Sequence, residues 1–110
     1  MKLSEKKCVP CTGGVPPLTA EEISRLSSQI NGWQVIDNKR LTKTFKYRDF
    51  KGPMKLADKV ADIAEDEGHH PDLLVRYGEL KVELWTHKID GLTESDFILA
   101  AKIDEAAGSR

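Results

Sequence analysis

The chain holds three histidines, and all of them fall in one short window. His69 and His70 are adjacent and followed by Pro71, and His87 comes later with Tyr77 between. Acids flank them: Glu65 lies four residues before the pair, and Asp96 follows His87. Histidine is the side chain whose ordinary pKa, about 6.5, lets it take and give protons near neutrality. Clustered imidazoles among carboxylates point to general acid–base chemistry, with an acid orienting an imidazole and setting its tautomer. Consecutive residues on an extended segment point to opposite sides, so His69 and His70 are expected to play different roles. The acids also have structural readings. Glu65 belongs to the run Glu65-Asp66-Glu67, the kind of run that usually forms a solvated face, and Asp96 suits a helix start.

The elements that must carry these residues are legible in the pattern. A first helix is signalled by Thr19 and Glu22, a capping box, with Ile23, Leu26 and Ile30 on one face and Asn31-Gly32 as its end. Trp33 and Val35, then a turn at Asp37-Asn38-Lys39-Arg40, then Leu41, Lys43, Phe45 and Tyr47 alternating with Thr42, Thr44 and Lys46, predict a hairpin. A second helix is expected over 49–67, with Phe50, Met54, Ala57, Ala61 and Ala64 as its stripe, widened by Val60 and Ile63. Gly68 stands just past its end, so His69 and His70 leave a helix C-terminus, whose partial negative charge favours a protonated imidazole. Leu73–Tyr77, Gly78-Glu79 and Leu80–His87 predict a second hairpin. Its alternation puts Leu80, Val82 and Leu84 toward the core, and Lys81, Glu83, Trp85 and His87 away from it. A last helix starts at Thr93 with Asp96 in its first turn, and packs through Phe97, Ala100, Ala101 and Ile103. The expected fold is α+β: a four-stranded antiparallel sheet with three helices on one face, in the order α-ββ-α-ββ-α.

The 110 residues make one domain, expected over 18–110, preceded by a flexible tail over 1–17 in which Gly13, Gly14, Pro16 and Pro17 break regular structure. Hydrophobic content of 39% and charged content of 32% suit a globular chain. A net charge of −1 offers no basic stripe for direct nucleic-acid binding. No apolar run approaches a membrane span, and the lysine-rich start lacks a secretory apolar region, so a cytoplasmic location away from the membrane is expected. Cys8 and Cys11 form a Cys-Val-Pro-Cys pair. In a Gly- and Pro-rich segment with no second such pair, it is expected to stay reduced and non-catalytic, with adventitious metal binding or oxidation as the other reading.

The spaced set Glu65, His69-His70-Pro71, Tyr77, His87 and Asp96 resembles the signature of the pterin-4a-carbinolamine dehydratases. The stretch from Gly91 to Asp104 resembles that family's last helix, and Leu18–Trp33 its first helix and strand, so the likeness covers roughly residues 18–104. The resemblance implies a small α+β domain assembling as a homodimer or homotetramer. It implies a hydro-lyase that dehydrates 4a-hydroxytetrahydropterin to quinonoid dihydropterin without metal or organic cofactor, recycling tetrahydrobiopterin for aromatic amino acid hydroxylases. By position, His69, His70 and His87 match its catalytic histidines. Glu65 and Asp96 match acidic positions near the pterin, and Trp33 a position bordering the pocket. The chemistry expected is His69 as base at the ring nitrogen, His87 as acid at the leaving hydroxyl, and His70 holding the substrate.

Two rival readings follow from the same residues. A hydrolase with His69, His70 and His87 on one metal ion is the first, although adjacent histidines rarely converge on one ion. The second, which the resemblance implies through family members that are also dimerisation partners of a transcription factor, is a dimerisation or transcription-cofactor module with a regulatory protein partner, using the apolar stripe of the second helix around Met54 and Val60.

Overall fold

The computed structural model describes residues 2–8 and 16–108. Cys11, Gly13 and Gly14 of the expected tail lie outside the described residues. Helix α1 (Ala20–Ser27) opens on the expected capping box: Thr19 accepts from the Glu22 amide, and Glu22 reaches back to the Thr19 amide. The helix closes at Ser27 rather than at Asn31-Gly32, and Ile30 is carried into the core by the turn that follows. Strands β1 (Gln34–Ile36) and β2 (Arg40–Lys46) form the first hairpin, around Asp37 and Asn38 at φ 52° and 55°. Such positive φ values at both turn centres match the twist of the flanking strands.

Helix α2 (Lys51–Glu67) is followed by β3 (Asp72–Arg76) and β4 (Glu79–Leu84), and α3 (Glu94–Ala107) closes the chain. The sheet order is β1-β2-β4-β3, antiparallel throughout. Leu41 faces Leu84, and Phe45 faces Leu80, so directly opposed pairs put Leu41, Phe45, Leu80, Val82 and Leu84 on one face. All five are buried, and the helices cover them. Thr42, Thr44, Lys81 and Glu83 hold the opposite face, as the alternation predicts. The α+β class and element order are those read from the sequence.

Two packing expectations change. The buried stripe of α2 is Pro53, Leu56, Val60 and Ala64, while Phe50 and Met54 are exposed. The helix is thus rotated away from the face that Phe50 suggested, because β4 and α3 meet it on the Leu56–Val60 side. The tail is also not free over residues 2–8. A short 3-10 turn, Leu3–Glu5, lies against α3 and puts Leu3 in the core. That cover helps bury α3 nearly all round from Ser95 to Ala100, with Ile98 and Leu99 buried alongside Phe97 and Ala100.

Candidate active site

Gly68, at φ 66°, ends α2 in the left-handed conformation and turns His69 out of the helix axis. His69 then meets the start of α3, where Asp96 occupies the third helical position. The His69 Nε2 to Asp96 Oδ1 distance is 2.6 Å, with the imidazole 14% exposed and the carboxylate fully buried. The other carboxylate oxygen, Oδ2, accepts from the Thr93 amide at 2.9 Å and from the Thr86 hydroxyl at 2.8 Å. Thr86 and Thr93 hydroxyls lie 3.0 Å apart. A consistent proton chain runs from the Thr93 hydroxyl to Thr86, and from Thr86 to Asp96.

This network fixes the chemistry of His69. A carboxylate accepts, so Nε2 must carry the hydrogen, and a neutral ring then keeps its lone pair on Nδ1. His69 is in that state a base oriented by a buried carboxylate, the arrangement that holds an imidazole in one tautomer. Asp96 therefore caps α3 and orients His69 at once, joining the two readings left open for it.

Thr86 immediately precedes the third histidine. It pairs with Gly91 across a tight loop, its amide donating to the Gly91 carbonyl at 2.8 Å. His87 opens the 3-10 turn His87–Ile89 inside that loop and is exposed. A side chain at Gly91 would place its Cβ 2.8 Å from Pro17, so only glycine lets the loop close against the chain entering α1. The sequence reading extended β4 to His87, but the strand ends at Leu84 and His87 sits on the turn beyond it. Its ring lies against Trp85, with centroids 4.3 Å apart, and the Arg40 guanidinium covers the Trp85 ring at 4.5 Å. Among the described residues, this stack is the contact that orients the His87 ring.

His70 faces outward and pairs with Glu65 at 2.6 Å, both largely in solvent. Exposed pairs of this kind contribute little to stability. Trp33 is placed elsewhere. Its indole donates to Asp104 at 3.0 Å and packs edge-on to Phe45. Asp104 lies about 12 Å along α3 from Asp96 at 1.5 Å per residue, which puts Trp33 at the opposite end of that helix. Within this chain the structure therefore joins His69 to Asp96, Thr86 and Thr93, leaves the His87 ring against Trp85 one residue beyond Thr86, keeps the His70–Glu65 pair outward, and sets Trp33 apart.

Thr86, Trp85 and Thr93 were not foreseen as site residues. Thr86 had a signal, being the one polar side chain in the inward series Leu80, Val82, Leu84, Thr86. Among the described residues, no three His, Cys, Asp or Glu side chains are placed to share a metal ion, so the three-histidine metal reading finds no donor set. No helix among those residues is long and apolar enough to cross a membrane.

A family model described as pterin 4 alpha carbinolamine dehydratase matches residues 16–106. The chain belongs to this family. A relative from Rickettsia bellii is 58% identical over 93% of this chain and 91% of its own, and carries the name "Putative pterin-4-alpha-carbinolamine dehydratase". One of the same name from Rubrobacter xylanophilus is 48% identical over 94% of this chain and 96% of its own. Among solved structures, a transcriptional coactivator/pterin dehydratase from Brucella melitensis superposes with a TM-score of 0.79 at 33% identity, over 84% of this chain and 99% of that one. A pterin dehydratase-like RuBisCO assembly factor of the alpha-carboxysome shares the fold, with a TM-score of 0.61 at 22% identity over 73% of this chain and 94% of that one. The pterin dehydratase family membership joins the spaced histidine motif to the fold that presents it.

Proposed function

We propose that this member of the family dehydrates 4a-hydroxytetrahydropterin by histidine acid–base catalysis. The observation that carries the reading is the buried Asp96 holding His69 through Nε2, which leaves Nδ1 as the base. His87 protonates the leaving hydroxyl, the carbon–oxygen bond breaks, and water departs. His69 takes the proton from the neighbouring ring nitrogen, and that electron pair forms the new carbon–nitrogen double bond of the quinonoid product. Exchange with solvent then returns the proton from His69 and recharges His87. His70, oriented by Glu65, holds the substrate. Each proton-transfer group is worth roughly 10²- to 10⁴-fold in rate. The reaction needs neither metal nor organic cofactor, and the product re-enters the tetrahydrobiopterin cycle in the cytoplasm.

Self-association as a homodimer or homotetramer belongs to this proposal, supported by the edge position of β3 and the exposure of Leu74 on it. A regulatory protein partner is the second reading, favoured by the coactivator name of the Brucella melitensis relative and by exposed Phe50 and Met54. Val60 is fully buried and plays no part in such a surface.

The test is turnover of freshly generated 4a-hydroxytetrahydrobiopterin with chelator present, for wild type, His69→Ala, His70→Ala and His87→Ala. Chelator-resistant wild-type turnover that falls in the His69 and His87 variants by at least about 10²-fold is expected. Full activity in His87→Ala would sink the assignment of the acid, and no wild-type turnover above the uncatalysed rate would sink the reaction itself.

A further inference from the structure

Residues 2–8 lie outside the stretch that the family model matches, and the acid–base network does not use them. They nevertheless run along α3 and end between the two elements that carry the His69–Asp96 pair. Leu3 enters the core, the Lys102 ammonium donates to the Ser4 carbonyl at 2.9 Å, and Lys6 pairs with Glu94 at 2.8 Å. At the end of the segment, the Cys8 amide donates to Glu67 Oε1 at 2.8 Å, and the Cys8 thiol donates to the Ser95 carbonyl at 3.5 Å. Glu67 is the last residue of α2, two before His69, and Ser95 immediately precedes Asp96. Cys8 thus bonds a side chain at the end of α2 and a backbone carbonyl at the start of α3, the two elements whose relative placement sets the histidine–carboxylate contact.

We infer that residues 2–8 form a strap that registers the C-terminal turn of α2 against the first turn of α3, with Cys8 and Glu67 as positioning residues for the His69–Asp96 pair. This inference rests on the acid–base reading for its catalytic consequence. Helix ends fray, and α2 ends one glycine before the base it must present. The Glu67 carboxylate, 4% exposed, binds the strap amide while Lys102 stands 3.5 Å away on α3. Glu67 is therefore tied to the strap and to α3 together, through charge-assisted contacts in a poorly solvated place. Burial, and then the neighbouring Glu67 charge, push the Cys8 thiol up to about 11, so at neutral pH it remains an S–H donor to Ser95. Misplacement of a catalytic group by about 1 Å costs on the order of 10²-fold in rate, so a modest loosening here is visible in turnover.

The experiment compares wild type with Glu67→Ala, Glu67→Gln, Cys8→Ala and Ser28→Ala. Ser28, exposed just past α1 and bonded to the Arg25 carbonyl, serves as the control. The readouts are kcat, KM and the proton resonance of the His69 Nε2–H. In Glu67→Ala, kcat is expected to fall about tenfold with KM little changed and the His69 resonance shifted or broadened; Cys8→Ala follows with a smaller loss. Glu67→Gln keeps an acceptor oxygen and should recover much of the loss, and Ser28→Ala should match wild type. An unchanged resonance in Glu67→Ala and Cys8→Ala, or a shifted one with wild-type kcat, overturns the inference. If Glu67→Ala does not fold, Cys8→Ala decides by the same criteria. A wild type without dehydratase turnover would defeat the proposed function, while the resonance would still show whether the strap holds the pair.

Discussion

Substituting Asp96→Asn should separate catalysis from folding. The carboxylate is fully buried and accepts from three donors: His69 Nε2, the Thr86 hydroxyl and the Thr93 amide. An asparagine fits the same space but has only one acceptor oxygen. The Thr93 amide can only donate, so the amide oxygen must turn toward the Thr86–Thr93 side. The NH2 group then faces His69 and requires a lone pair on Nε2. His69 is driven to the other tautomer, with its hydrogen on Nδ1, the atom that should take the substrate proton. Stability should change modestly, by about 1–2 kcal/mol, because every donor keeps a partner and only charge assistance is lost. The rate should fall by roughly 10²- to 10⁴-fold, the span that a positioned base contributes, by the same tautomer logic known for catalytic triads. The assay pairs single-turnover dehydration with denaturant melts and nitrogen NMR of the His69 ring. A variant with the flipped tautomer and a rate within about threefold of wild type would refute the assignment of His69 Nδ1 as base. Asp96→Ala is the contrast: it strands buried donors at about 1–3 kcal/mol each and should fail mainly by destabilisation.

Removing the Trp85 ring frees His87, so Trp85→Ala should lower kcat about tenfold while Trp85→Phe, which keeps a stacking surface, stays near wild type; the ring-current shift of His87 protons reports the stack directly. The Glu67 carboxyl is held below the ordinary carboxylate range, first by the Cys8 amide. Its folded pKa lies below the unfolded value, so its contribution is complete above the unfolded pKa and disappears as pH falls through the folded one. Melts across the acid range should therefore show a steeper loss for wild type than for Glu67→Gln, and parallel curves would contradict the assignment. Gly68→Ala has open space around the added methyl group but φ 66° to accommodate, so a loss of about 1 kcal/mol is expected, read from the shift of the urea midpoint.

Much of this protein was legible in local chemistry. The capping pairs Thr19–Glu22 and Thr93–Asp96, the alternation Leu80-Val82-Leu84 and the terminator Gly68 each satisfy backbone and solvent rules within a few residues. Such signals need no distant partner, and they place the elements and the order α-ββ-α-ββ-α. The clustering of His69, His70 and His87 nominated a candidate site for the same reason, because the residue types alone restrict the chemistry.

What required the tertiary structure was every contact between elements far apart in the chain. The choice of Asp96 as partner of His69, rather than nearby Glu65, depends on α3 meeting the end of α2, which no local period encodes. The rotation of α2 onto Leu56 and Val60 was settled by the shape of the surface it covers, since Phe50 and Met54 fit a helical stripe equally well. Trp33 lies apart from His69 because Asp104 offered its indole a partner, and residues 2–8 of the segment read as a tail lie along α3 because Leu3 found a place in the core. Burial and pairing are properties of the assembled surface. A sequence can nominate the residues that want them, but only packing assigns the partners.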